Sequence, residues 1–140
     1  MALRLYRQYL KATEHALGKG ETSEGQLEAF GKLVFPDFFV GVFAKDEIPD
    51  QFEGCIIANT HTRDKGGEHW VAIAALGDGT YMVYDSYGRK ATELMKGINL
   101  DTIDTDLDAE QSKKEENCGA RCFAWLLVFD ELGPEEAIKI

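Results

Sequence analysis

Cysteine, histidine and tryptophan are all scarce in this 140-residue chain: three, three and two. An odd cysteine count gives no even set for a disulfide framework, so free thiols in a reducing intracellular compartment are the expected state. No apolar run approaches the roughly 20 residues that span a bilayer, and the N-terminus has no secretory leader pattern, so no membrane association is expected. Basic residues are outnumbered, 15 Lys and Arg against 25 Asp and Glu, for a net charge of −10. They also fail to cluster, since Lys113-Lys114 is followed at once by Glu115-Glu116. That pattern argues against a nucleic-acid partner held through phosphates. There is no repeat, linker or low-complexity tract, and the length fits one domain over residues 1–140, with 1–20 as an N-terminal helical extension.

What is present is a large apolar complement, 44% of residues with eight Phe and five Tyr. Residues 2–17 read as a helix, with Leu3, Tyr6, Leu10, Ala12 and Ala16 on one side. Ser23 followed by Gln26 has the form of a capping box that opens a second helix through about Val34, stopped by Pro36. Phe35, Phe38, Phe39 and Phe43 are expected in the core, and 44–53 reads as an acidic loop. Strands are expected over Cys55–Thr60, His69–Leu76 and Tyr81–Asp85, with Gly77-Asp78-Gly79 as a hairpin turn. A short helix over 90–97 and a weak edge strand over 98–104 follow. A buried helix then runs from Asn117 to about Glu131, ended by Gly133-Pro134.

Cys118 opens that last helix, at the junction of a charged loop and the most apolar segment of the chain. Unpaired N–H groups and the positive end of the dipole favour a thiolate there. The dipole cannot act alone: lowering a thiol from about 8.5 to about 4 takes roughly 6 kcal/mol, whereas a helix terminus supplies at most about 2. An imidazolium partner is needed. Of the three histidines, His69 is preferred because it begins a strand, while His15 ends a helix and His61 sits in a polar loop. Asp85 closes the next strand and can orient His69 if the hairpin loop has three residues. With a two-residue loop it would face the other side. Gln111, seven residues before Cys118, can donate an amide N–H to an oxyanion alongside the Cys118 N–H, or can be a simple loop glutamine. Cys122, one turn on, is open to core packing, a redox role or metal ligation. Cys118, Cys122, His69 and a carboxylate make zinc an alternative. Cys55 reads as a small buried hydrophobe.

The order His69, Asp85, Gln111, Cys118 resembles that of the adenain-type maturation proteases of adenoviruses and the related SUMO- and ubiquitin-like deconjugating proteases. Papain-type enzymes place the cysteine first. The similarity to the adenain type is carried by Gly41-Val-Phe-Ala-Lys-Asp-Glu-Ile-Pro49, Cys55-Ile-Ile-Ala-Asn-Thr60, Gly66-Gly-Glu-His-Trp-Val71 and Tyr84-Asp-Ser-Tyr-Gly88. The Gln111 to Cys118 spacing, and Cys118-Gly119 with Cys122, add to it. It implies an α+β fold with a central, mainly antiparallel sheet and a buried nucleophile helix. It also implies His69 as base and acid, Asp85 as its orienter, and Trp70 flanking the imidazole. Trp70, Gly67 and Gly119 are expected in the substrate site, and small residues such as Gly beside the cut. No cofactor and no metal is implied.

The chain departs from that pattern at both ends. Residues 1–20 have no counterpart, and the chain ends seven residues after Gly133. Its charge is opposite to that of the basic, DNA-stimulated adenain type, and no counterpart exists of the cysteine that links a peptide activator there. A peptide activator is left open, with helix 2–17 as a built-in substitute. The expectation is a cysteine endopeptidase of viral or virus-derived origin that matures capsid precursors, in the host cytosol or nucleus or packaged in a virion. Alternatives are deconjugation of SUMO- or ubiquitin-like proteins and a non-catalytic or zinc-binding interaction domain.

Overall fold

The computed structural model describes residues 1–65, 69–112 and 115–140. The chain is α+β, a five-stranded mixed sheet covered by helices. Helices α1 (Ala2–Leu17) and α2 (Glu24–Val34) come first, then strands β1 (Phe39–Phe43), β2 (Cys55–Asn59), β3 (Trp70–Ala75) and β4 (Thr80–Tyr84). Helix α3 (Ala91–Leu94), strand β5 (Asp101–Asp104), the long α4 (Cys118–Leu132) and a short α5 (Pro134–Ala137) complete it. Among the described residues the strands lie side by side in chain order.

The expected mainly antiparallel sheet is corrected to a mixed one. The β2–β3 and β3–β4 ladders are antiparallel, while β1–β2 and β4–β5 are parallel. Parallel neighbours need a crossover longer than a hairpin. The segment 44–54 provides one, and the α3 region provides the other. Strand β1 adds to the expected core phenylalanines, and its exposed Val40 and central Gly41 leave no clean alternation to mark it in the sequence.

The strands β2 to β4 are apolar on both faces because both are covered. One face presents Cys55, Ile57, Ala72, Ala74 and Tyr84 to the inner residues of α4, including Phe123, Trp125 and Leu126. The other buries Ile56, Val71, Ile73 and Val83 against Ala91 and Met95. Helix α4 is apolar around nearly its whole circumference and accordingly buried through Leu126.

Helix α1 lies on α4. Its buried face is Ala2, Tyr6 and Thr13, flanked by Leu5, Tyr9 and Leu10, so the contact stripe is rotated from the expected one. Leu3, Ala12 and Ala16 face solvent instead. Polar tips on the large side chains set the rotation: Tyr6 Oη meets Tyr84 Oη at 2.6 Å and accepts from Arg121, while Thr13 Oγ1 donates to the Ala120 carbonyl at 3.1 Å. The capping box on α2 forms as expected, with Gln26 N donating to Ser23 Oγ and Ser23 N to Gln26 Oε1.

The hairpin between β3 and β4 has the three-residue loop. Leu76 N donates to the Thr80 carbonyl, and Gly77 and Gly79 hold φ of 83° and 92°, a region costly for other residues. Ala72 pairs with Tyr84, and extending that register by one sets Val71 against Asp85. Asp85 therefore comes to the side of the sheet that carries His69.

Candidate active site

His69 and Asp85 sit just beyond the paired ends of β3 and β4, both buried. The His69 carbonyl accepts from Thr60 N at 3.0 Å, which ties its backbone to the end of β2. Its Nε2 meets Asp85 Oδ1 at 2.5 Å. The other carboxylate oxygen accepts from Arg89 N and Arg89 Nε, each at 2.9 Å. Burial pushes the Asp85 carboxyl up, but the hydrogen bonds from His69 and Arg89 outweigh it and hold the group at about 2. Asp85 is thus a fixed anion that turns one edge of the imidazole.

Cys118 occupies the first position of α4 and lies beside the His69 side chain, near enough to act on its charge. With Nε2 committed to Asp85, the Nδ1 edge is the one left for sulfur. Burial draws the imidazole pKa down, yet the hydrogen bonds to Asp85 and Cys118 and their charges raise it above its ordinary value. The three expected residues converge.

The tip of α4 is left open by a diversion of its own cap residue. Asn117 makes no side-chain cap. Its Nδ2 donates to Glu14 of α1 at 2.9 Å, and its Oδ1 accepts from Arg121 Nε at 3.2 Å. The first-turn N–H groups therefore keep no side-chain cap, and an anion formed at Cys118 would find both donors and the positive dipole end.

Gln111 is buried beside this centre but fully engaged. Its Oε1 accepts from Ser86 Oγ, and its Nε2 donates to the Glu115 carbonyl at 2.7 Å and to Tyr87 Oη at 3.2 Å. Both amide hydrogens are taken, so donation to an oxyanion requires exchange of the Tyr87 hydroxyl for substrate.

The aromatic partner of the imidazole is Tyr87, a correction to the expected Trp70. The Tyr87 and His69 rings stack with centroids 4.8 Å apart at 26°, and Arg89 lies 5.0 Å above the Tyr87 ring. An aromatic face favours an imidazolium against it. Trp70 instead donates Nε1–H to the Thr22 carbonyl at 3.2 Å and walls a cleft of about 290 Å³ that opens on Cys118. Tyr87 and Arg89 were missed by sequence reasoning. Arg89 stands four residues after Asp85, and that charge spacing was the available signal.

Gly119 packs tightly: a Cβ there would lie 2.3 Å from Thr22 Oγ1 and 2.9 Å from Leu27 Cδ2. Its smallness lets α4 approach the start of α2. Gly67, also expected in the substrate site, lies outside the described residues, as does Gly66. His15 is exposed in the last turn of α1, and His61 lines the cleft.

All three cysteines are free thiols. Cys55 and Cys122 are wholly buried, and burial pushes both thiols up. Among the described residues no group of three His, Cys, Asp or Glu side chains has metal-ligand geometry. No helix among them is long and apolar enough to cross a membrane.

In comparisons with known proteins, neither a family model nor a curated protein matches the chain.

Proposed function

We propose that this protein is a cysteine endopeptidase of the adenain type, cutting beside small residues, with capsid precursors of a virus as its substrates. The observation that carries the reading is the relay from Asp85 through His69 to Cys118 at an uncapped helix tip. The motif order His69, Asp85, Gln111, Cys118 supports it independently.

In the mechanism, His69 Nδ1 takes the thiol proton and the Cys118 sulfur attacks the scissile carbonyl carbon. A C–S bond forms as the carbonyl π pair moves to oxygen. The Cys118 N–H receives that oxyanion, joined by the Gln111 amide once substrate displaces Tyr87 Oη. The imidazolium then protonates the amine as the C–N bond breaks, leaving a thioester. Water, deprotonated by His69, attacks the thioester, and the C–S bond breaks to release the acid and restore the thiol. Asp85 stays anionic throughout and stabilises the imidazolium. The free thiols support a reducing compartment as its setting, the cytosol or nucleus of a host or the interior of a virion.

The test is an assay of the wild type and Cys118→Ala on Gly-containing peptides and on capsid precursors, beside electrophilic probes built on SUMO and ubiquitin C-termini. Turnover by the wild type alone, without probe labelling, is expected. Labelling of Cys118 by a probe would replace capsid maturation with deconjugation. An intact, folded wild type that neither cleaves nor is alkylated at Cys118 would end the hydrolase reading.

A further inference from the structure

The cleft beside Cys118 carries a charge pattern that the relay does not use. Its walls come from the loop after β2, the start of α2, Trp70 and the residues before α4. Arg63 is the one Arg or Lys side chain lining it among the described residues, and that charge is already matched. Its Nη2 reaches Glu24 at 2.8 Å and Glu47 at 2.7 Å, and its Nε donates to Glu47 at 3.1 Å. Glu21 and Glu116 also line the cleft, and neither makes a hydrogen bond or ion pair among the described residues. Two carboxylates thus line a concave surface that ends at the nucleophile, with no ion-pair partner among the described residues.

A second feature points to an occupant. Thr22 lines the same cleft at 8% exposure, and its Oγ1 is a buried polar atom without a hydrogen-bond partner among the described residues. A buried hydroxyl left unpaired is unfavourable, so a ligand that supplies its partner gains affinity. It lies against Gly119, in the first turn of α4 and next in sequence to Cys118, which lines the same cleft.

We infer that the cleft takes a peptide carrying a lysine or arginine close to the cut, its cation held by Glu21 and Glu116 and a backbone group met by Thr22 Oγ1. This rests on the protease reading and names its substrate class. The charged residue supplies selection beside the small residues of the scissile bond.

The experiment compares peptides of one sequence that differ only in Lys or Glu at each position near the cut. At one position kcat/KM favours Lys about 10-fold at low salt, falling several-fold at 0.5 M NaCl, since both carboxylates are solvent-screened. The variant Glu21→Gln/Glu116→Gln brings the ratio close to one. Asp50→Asn/Asp101→Asn, which removes the same charge at a distance, keeps it. Equal rates on the two peptides, or an equal loss of preference in both double variants, overturns the inference. If no peptide is cleaved, the protease reading fails separately. Calorimetry of the same peptides on Cys118→Ala then decides the cleft: tighter Lys peptide supports it, equal binding overturns it.

Discussion

Cys118 and Cys122 are the same residue type, four positions apart on one helix, and the fold treats them in opposite ways. Cys118 stands at an uncapped tip, 9% exposed, against an imidazole held by a carboxylate. Cys122 is fully buried among aromatic and aliphatic side chains, and the apolar surroundings push its thiol well above the ordinary range. Burial alone makes a thiol inert. What separates the two is the partner: an imidazole held by a carboxylate and the N–H groups of the helix tip at one, only packing at the other.

The largest effect that would sharpen this contrast is on turnover. Cys118→Ala abolishes peptide cleavage in a kinetic assay, while Cys122→Ala keeps the rate and lowers stability by about 1–2 kcal/mol in denaturant unfolding. Equal loss of activity in both would break the comparison.

The next largest concerns the ring. Asp85→Asn lowers kcat/KM by roughly 100-fold or more, because the imidazolium loses its stabilising anion. It also moves the pH profile. His69 holds the thiol proton in the reactive Cys118–His69 ion pair and its pKa is raised, so in the wild type the alkaline limb of kcat/KM lies above pH ~6.5. The variant keeps the burial that lowers this pKa and loses the strongest bond that raises it, so the limb shifts to lower pH. Stability follows the same signs. The His69 contribution is complete below about 6.5 and fades as pH rises through its folded value. That of Asp85 is present above about 3.9 and fades as pH falls toward 2.

Two smaller effects test how the tip is held. Gly119→Ala forces a methyl onto Thr22 and Leu27, costing about 1–3 kcal/mol by thermal unfolding. Deletion of residues 1–20, which removes the Glu14 bond to Asn117 and uncovers the α4 face under Tyr6, costs at least about 3 kcal/mol on the same measure. Activity and stability unchanged by that deletion would show that α1 does not support the nucleophile helix. The smallest effect is at Tyr87→Phe. It keeps the ring on His69 but frees one Gln111 hydrogen, so kcat changes by less than about 5-fold while a larger loss would make the hydroxyl itself a participant.

Much of this was legible in local pattern. The 3.6-residue period marked α1, the Ser23 and Gln26 spacing marked the start of α2, and Gly77-Asp78-Gly79 marked the turn. The sequence left the parity of that turn open, and the three-residue loop in the structure is what brings Asp85 to the side of His69. Other features carry no local signal. Strand β1 exists because β2 pairs with it, α5 is a single turn after Pro134, and the parallel edges depend on crossovers. The stacking of Tyr87 on His69 and the withdrawal of Trp70 to Thr22 are contacts between distant segments.

The amino-acid order by itself determined which groups are chemically able: a cysteine opening an apolar helix, a histidine and an aspartate at strand ends, an acidic surface. Those properties follow from periodicity and turn chemistry within a few residues. Only the tertiary structure decided which of them meet. It diverted Asn117 from capping α4 by offering it Glu14 and Arg121. It also secured Asp85 with Arg89 and left Glu21 and Glu116 on the cleft without an ion-pair partner among the described residues. Such outcomes depend on distances between segments far apart in the chain, where burial and opposing charges compete and no short stretch of sequence holds both sides.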